Sequence, residues 1–93
     1  MYSEEEVEAV VEGYLELNEI RHKSFIQVRL LDLERVLPRL SLPYRQAILL
    51  CGMVGLTTRT AGRLLGVSNV AMHKRYKRAL REILRQLNTG GRR

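Results

Sequence analysis

Ninety-three residues, 45% of them hydrophobic, suffice for one small folded domain and exclude a chain disordered by composition. No apolar run nears the roughly 20 residues that cross a bilayer, and a single cysteine, Cys51, excludes an internal disulfide and fits a reducing compartment. The net charge of +6 is unevenly spread: residues 1–34 hold nine acids and three bases, residues 35–93 one acid and thirteen bases. A polyanion would therefore be met by the C-terminal part. No secretory signal peptide opens the chain, so the expected location is cytoplasmic, with no membrane partner.

In chain order, Ser3 and Glu6 have the spacing of a capping box, and Glu4 and Glu5 suit the positive end of a helix. A first helix is expected over residues 4–20, with Val7, Val10, Val11, Tyr14, Leu15 and Leu17 as its apolar stripe. Gly13 weakens its interior by about 1 kcal/mol relative to Ala. Segment 1–23 reads as an acidic N-terminal helix that either packs on its own domain or pairs two copies into a homodimer. Ser24 with Gln27 repeats the capping spacing and predicts a second helix over residues 25–37, with Phe25, Val28, Leu31, Leu33, Val36 and Leu37 as apolar positions. Pro38 ends it. Ser41 as cap and Pro43 in the first turn predict a third helix over 42–54, stopped by Gly55. Ala47, Ile48, Leu50 and Cys51 should face inward, and Tyr44 and Arg45 outward.

Residues 57–87 organise the rest. Thr57 can cap a short helix over 58–65 and Ser68 a longer one beginning at Asn69, with only Gly66-Val67-Ser68 between them. Gly66 is where the chain leaves the first of these helices through a left-handed residue. So short a connection forces a steep crossing and demands small or apolar residues inside it, a role open to Gly62, Leu65, Val67 and Met72. This is the logic of a helix-turn-helix. The fold class is all-α, four to five helices with a C-terminal helix-turn-helix: the acidic N-terminal helix, a helix-turn-helix domain over residues 24–87, and 88–93 as a flexible basic tail.

Residues 40–87 resemble the DNA-binding region 4 of bacterial sigma factors. The resemblance is carried by Leu40-Ser41, Arg45-Gln46-Ala47-Ile48, Gly55-Leu56-Thr57, Leu65-Gly66-Val67-Ser68 and Lys77-Arg78-Ala79-Leu80-Arg81. Two departures stand out: the family's usual Ile-Ala pair is Ala61-Gly62 here, and its usual acids after the cap are Arg59 and Thr60. The resemblance also implies a shorter helix over 33–40, capped by Asp32, in place of the one over 25–37.

In the last helix Met72, Tyr76, Ala79, Leu80, Ile83 and Leu87 recur at helical spacing as the buried face, which makes Tyr76 a core residue. Asn69, Val70, His73, Lys74 and Lys77 then fall where the first turns of a recognition helix meet base edges. Arg59, Arg63, Ser68, Arg75, Arg78 and Arg81 suit phosphates, whose contacts position without specifying. No paired carboxylates, metal-ligand spacing, P-loop or dinucleotide fingerprint is present, so neither an enzyme nor a cofactor is expected. The sequence therefore points to a sequence-specific, double-stranded DNA-binding transcription regulator. Its likeness to region 4 implies a freestanding module, similar to small phage and prophage regulators, with RNA polymerase as a second partner. Two other readings are a DNA-packaging accessory of the terminase small-subunit type, or a recombination accessory, and an interaction protein that occupies RNA polymerase without reading DNA.

Overall fold

The computed structural model describes residues 2–90, except for the side chain of Ser24. Helix α1, Glu4–Glu12, is opened by the expected capping box: Ser3 Oγ accepts the Glu6 N–H at 3.2 Å, and Glu6 Oε1 accepts the Ser3 N–H at 2.9 Å. The helix expected to reach residue 20 breaks at Gly13 (φ −95°, ψ 7°) and resumes as α2, Tyr14–Glu19. A Cβ at position 13 would lie 3.0 Å from the Ala9 carbonyl oxygen, and the bend brings the Tyr14 hydroxyl onto Glu34, which also pairs with Arg21 at 2.9 Å. The split is why six α-helical segments occur among the described residues where four to five helices are expected. Val7, Val10 and Val11 are buried, whereas Leu15, expected in the same stripe, is exposed.

Helix α3, Ser24–Val36, follows Lys23, which makes no side-chain cap, and the Gln27 side chain accepts from Arg21 Nε at 2.7 Å. The predicted Ser24 cap lies outside the described residues. The inward face of α3 is Ile26, Leu30, Leu33 and Val36, while Phe25, Val28 and Leu31 are exposed. No boundary falls at Asp32. It sits inside α3, where its carboxylate accepts the Tyr2 hydroxyl at 2.6 Å and pairs with Arg35 at 2.8 Å. Pro38 lies in a 3₁₀ turn, Leu37–Arg39, as its missing N–H requires.

Helix α4, Leu42–Ala47, runs on as a π-helical stretch, Ile48–Met53. Ser41 occupies the cap position without a side-chain bond. The π stretch carries Gly52 under α1: a Cβ there would fall 2.2 Å from Val11 Cγ1 and 3.3 Å from the Tyr76 hydroxyl. Only glycine permits that approach. Gly55, at φ +86°, turns the chain away.

Helix α5 spans Thr58–Leu65, and α6 spans Asn69–Gly90. At 22 residues, α6 is about 33 Å long, nearly the 38 Å long axis of the molecule. Its buried face is Met72, Tyr76, Ala79, Leu80 and Ile83, packed on Leu30, Ile48 and Val11 in one core. Full burial of each large aliphatic side chain there contributes about 1.5–3 kcal/mol. The helix continues past Leu87, where Asn88 trades two hydrogen bonds with the Tyr2 backbone, at 2.9 and 3.0 Å. Residues 91–93 of the predicted basic tail lie outside the described residues. No strand occurs among the described residues, and none of their helices is long and apolar enough to cross a membrane.

Candidate nucleic-acid interface

The turn between α5 and α6 is built by local hydrogen bonds. Thr57 Oγ1 accepts the Thr60 N–H at 3.1 Å and opens α5. Gly66, at φ +75°, ends it, and the Val67 N–H returns to the Gly62 carbonyl at 2.8 Å, the long-range bond of a Schellman ending. A Cβ on Gly62 would stand 2.6 Å from the Val67 carbonyl oxygen, so glycine there lets the turn close onto α5. Ser68 Oγ then accepts the Ala71 N–H at 3.1 Å and starts α6. A further clasp joins the two helices: the Thr58 hydroxyl donates to Asn69 Oδ1. That bond engages the Asn69 acceptor, and its Nδ2 donor has no partner among the described residues.

The first two turns of α6 present Asn69, Val70, His73 and Lys74, all exposed. Val70 is 64% exposed, an apolar side chain left without cover. Such a group suits the methyl of thymine, while the polar members suit donor and acceptor edges in a major groove. Beside this face, Tyr44 of α4 joins Ala71, Lys74, Arg75 and Arg78 in lining a notch of ≈ 250 Å³. Arg59 and Arg63 project from α5.

The cations of the two helices fall into two sets. Lys77 Nζ lies 3.7 Å from Glu8, Arg81 Nε 3.8 Å from Glu4, and Arg85 pairs with Glu82 at 2.5 Å. The Arg85 guanidinium holds the Glu82 carboxyl below its usual range. Among the described residues, Arg59, Arg63, Lys74, Arg75 and Arg78 have no acidic partner. Within α5 and α6, positive charge is thus least compensated around the turn and along Lys74, Arg75 and Arg78. Tyr76 faces inward, its hydroxyl donating to Glu12 at 3.0 Å. Burial, with that carboxylate, pushes its phenol far above the ordinary tyrosine range.

The family model for Sigma-70, region 4 matches residues 30–83, which is more than half of the chain and takes in α3 from Leu30, α4, α5 and most of α6. The chain belongs to the sigma-70 region 4 family. No curated protein and no solved structure matches it significantly. Sigma region 4 is an all-α helix-turn-helix domain that binds DNA, and the uncompensated basic surface here lies on that motif. Helices α1 and α2 precede the matched segment.

Of the eleven residues singled out in the sequence, nine lie around the turn or on α6 clear of the α1 carboxylates: Asn69, Val70, His73 and Lys74 with Arg59, Arg63, Ser68, Arg75 and Arg78. Lys77 and Arg81 stand against α1. Two participants were not legible beforehand. Tyr44 reads as a plain surface residue until α4 is laid against α6. The i, i+4, i+8 spacing of Glu4, Glu8 and Glu12 is visible in the sequence, but the basic helix it faces is about 70 positions away.

Proposed function

We propose that this region 4 domain is a sequence-specific reader of double-stranded DNA that regulates transcription and contacts RNA polymerase, in a phage or prophage setting. In this reading it works in the cytoplasm. Asn69, Val70, His73 and Lys74 meet base edges in the major groove. Arg59, Arg63, Ser68, Arg75 and Arg78 hold the flanking phosphates. The observation that supports it is the coincidence of charge and chemistry around the turn: the first two turns of α6 carry exposed base-compatible side chains, and Arg59, Arg63, Lys74, Arg75 and Arg78 beside them lack acidic partners among the described residues. Direct readout needs such side chains, and phosphate contacts need free positive charge beside them.

A homodimer would form through α3 rather than through the α1 stripe of the N-terminal segment, because Val7, Val10 and Val11 are occupied in the core while Phe25, Val28 and Leu31 are open. The test is selection of bound sequences from a random duplex pool at physiological salt, with light scattering on the same preparation. A recovered motif establishes the regulator. Two half-sites about 34 Å apart, with a dimer-sized mass, establish the dimer. A large ring-like mass with no motif would favour a packaging role, and loss of all duplex binding with retained polymerase binding would favour an interaction protein.

A further inference from the structure

Helix α1 lies outside the matched segment, yet it lines one side of the recognition helix. Glu4, Glu8 and Glu12 stand one turn apart on α1 and meet Arg81, Lys77 and Tyr76 of α6 respectively, so the two helices run antiparallel along this edge. On α6, residues 69, 73, 77 and 81 also recur at four-residue steps and share a stripe. Asn69 and His73, in the first two steps, are exposed, whereas Lys77 and Arg81, in the last two, stand beside carboxylates. A duplex laid along the stripe therefore meets fixed negative charge as it reaches Lys77.

That border is not a detachable arm. Val11 is wholly buried, with Val7 and Val10 nearly so, and Gly52 seats Val11 in a gap with no room for a methyl group. The Tyr2 backbone is bonded to Asn88 at the far end of α6. The Lys77 and Glu8 side chains keep 34% and 31% exposure, so the carboxylate can act on an approaching phosphate while restraining the ammonium. We propose that Glu8, with Glu4 behind it, is a specificity-setting residue: it holds Lys77 away from phosphates and keeps DNA contact on the side of α6 that carries Lys74, Arg75 and Arg78, lowering affinity for non-specific duplex. The proposal rests on the DNA-binding reading above. Glu8 acts through Lys77 and is a positioning residue.

The test uses the full chain and salt titrations on a duplex of arbitrary sequence. Glu8→Gln keeps the shape and removes the charge. It should free one cation, steepening the slope of log affinity against log salt by about 0.9, equivalent to about eight-fold tighter binding at 0.1 M salt. Adding Lys77→Gln to Glu8→Gln should abolish the gain, and its loss there should exceed the loss from Lys77→Gln alone. A folding defect cannot imitate this result, because destabilisation does not raise affinity. An unchanged slope in Glu8→Gln, or an equal loss from Lys77→Gln in both backgrounds, overturns the proposal while leaving DNA binding intact. Absence of binding by both the wild type and Glu8→Gln at every salt concentration overturns the proposal and the DNA-binding reading together.

Discussion

The docking of α1 on Gly52 is directly testable with Gly52→Ala. Within a helix, alanine is favoured over glycine by up to about 1 kcal/mol, so an exposed site would gain stability. Here the new methyl would lie 2.2 Å from Val11 Cγ1. Val11 is fully buried and β-branched, with little rotamer freedom to yield, and Tyr76 closes the other side at 3.3 Å. Overpacking of this kind costs about 1–3 kcal/mol, so a net loss of about 1–2 kcal/mol is expected. Val11→Ala alone removes two buried methyl groups' worth of surface, about 1.6 kcal/mol, and leaves a cavity that costs more. In the double variant the methyl added at position 52 enters the space that truncation of Val11 vacates, so the two losses should fail to add by at least about 1 kcal/mol. Urea unfolding followed by circular dichroism reads the cycle. Additivity within about 0.5 kcal/mol would mean that α1 does not sit against the π-helical stretch, and the placement of Glu4 and Glu8 along α6 would fall with it.

Gly66→Val should lower stability by about 1–3 kcal/mol, since a β-branched residue is forced into the left-handed region; an unchanged melting temperature would mean the turn is elsewhere. His73→Ala or Lys74→Ala should relax choice at one or two base pairs, costing about 1–3 kcal/mol on the preferred site, whereas Arg78→Ala should weaken all duplexes alike. Equal effects of both kinds on random and selected DNA would refute the division of roles. Glu34 is held below its ordinary value of 4.5 by hydrogen bonds, first from Arg21 and then from Tyr14. A depressed folded value contributes stability above 4.5 that fades as pH falls through the folded value. Glu34→Gln should therefore remove part of the acid sensitivity of the melting temperature, and an identical pH profile in the variant would contradict the assignment.

Elements specified by neighbouring residues were legible from sequence. The Thr57 and Ser68 caps, the left-handed Gly66 and the buried face of α6 follow from spacing within a few positions, so local chemistry decides them. Helix α3 shows where this stops. Phe25, Ile26, Val28, Leu30, Leu31, Leu33 and Val36 form two overlapping apolar stripes, and sequence alone favours the one led by Phe25. The helices packed on α3 select Ile26, Leu30, Leu33 and Val36 instead. The π-helical stretch was hidden for a similar reason: Gly52 is needed because of Val11, 41 positions earlier. Among the candidate site residues, the exposure of those in the first two turns of α6 could be read from periodicity. The surroundings of Lys77 and Arg81 could not, because the acids that meet them belong to a helix near the other end of the chain.

The charge asymmetry of the sequence does not survive folding as two opposed poles. The acidic helix α1 lies along the middle of the basic helix, from Tyr76 to Arg81, so on α5 and α6 positive charge without an acidic partner is left around the turn and on the side that carries Arg75 and Arg78. Among the described residues of α5 and α6, five cations remain uncompensated: Arg59, Arg63, Lys74, Arg75 and Arg78. If each neutralises one phosphate, the slope of log affinity against log salt should be about −4.5, whereas adding Lys77 and Arg81 would take it to about −6. The slope of the wild-type protein alone therefore distinguishes a recognition helix used along its length from one bounded by α1. A value near about −6 would mean that DNA draws both side chains away from Glu8 and Glu4, and that Coulomb attraction across nearly 4 Å at a partly wetted surface is too weak to hold them. A value near about −4.5 would mean that the N-terminal helix sets the end of the DNA contact, giving the protein a shorter electrostatic footprint than its count of lysines and arginines suggests.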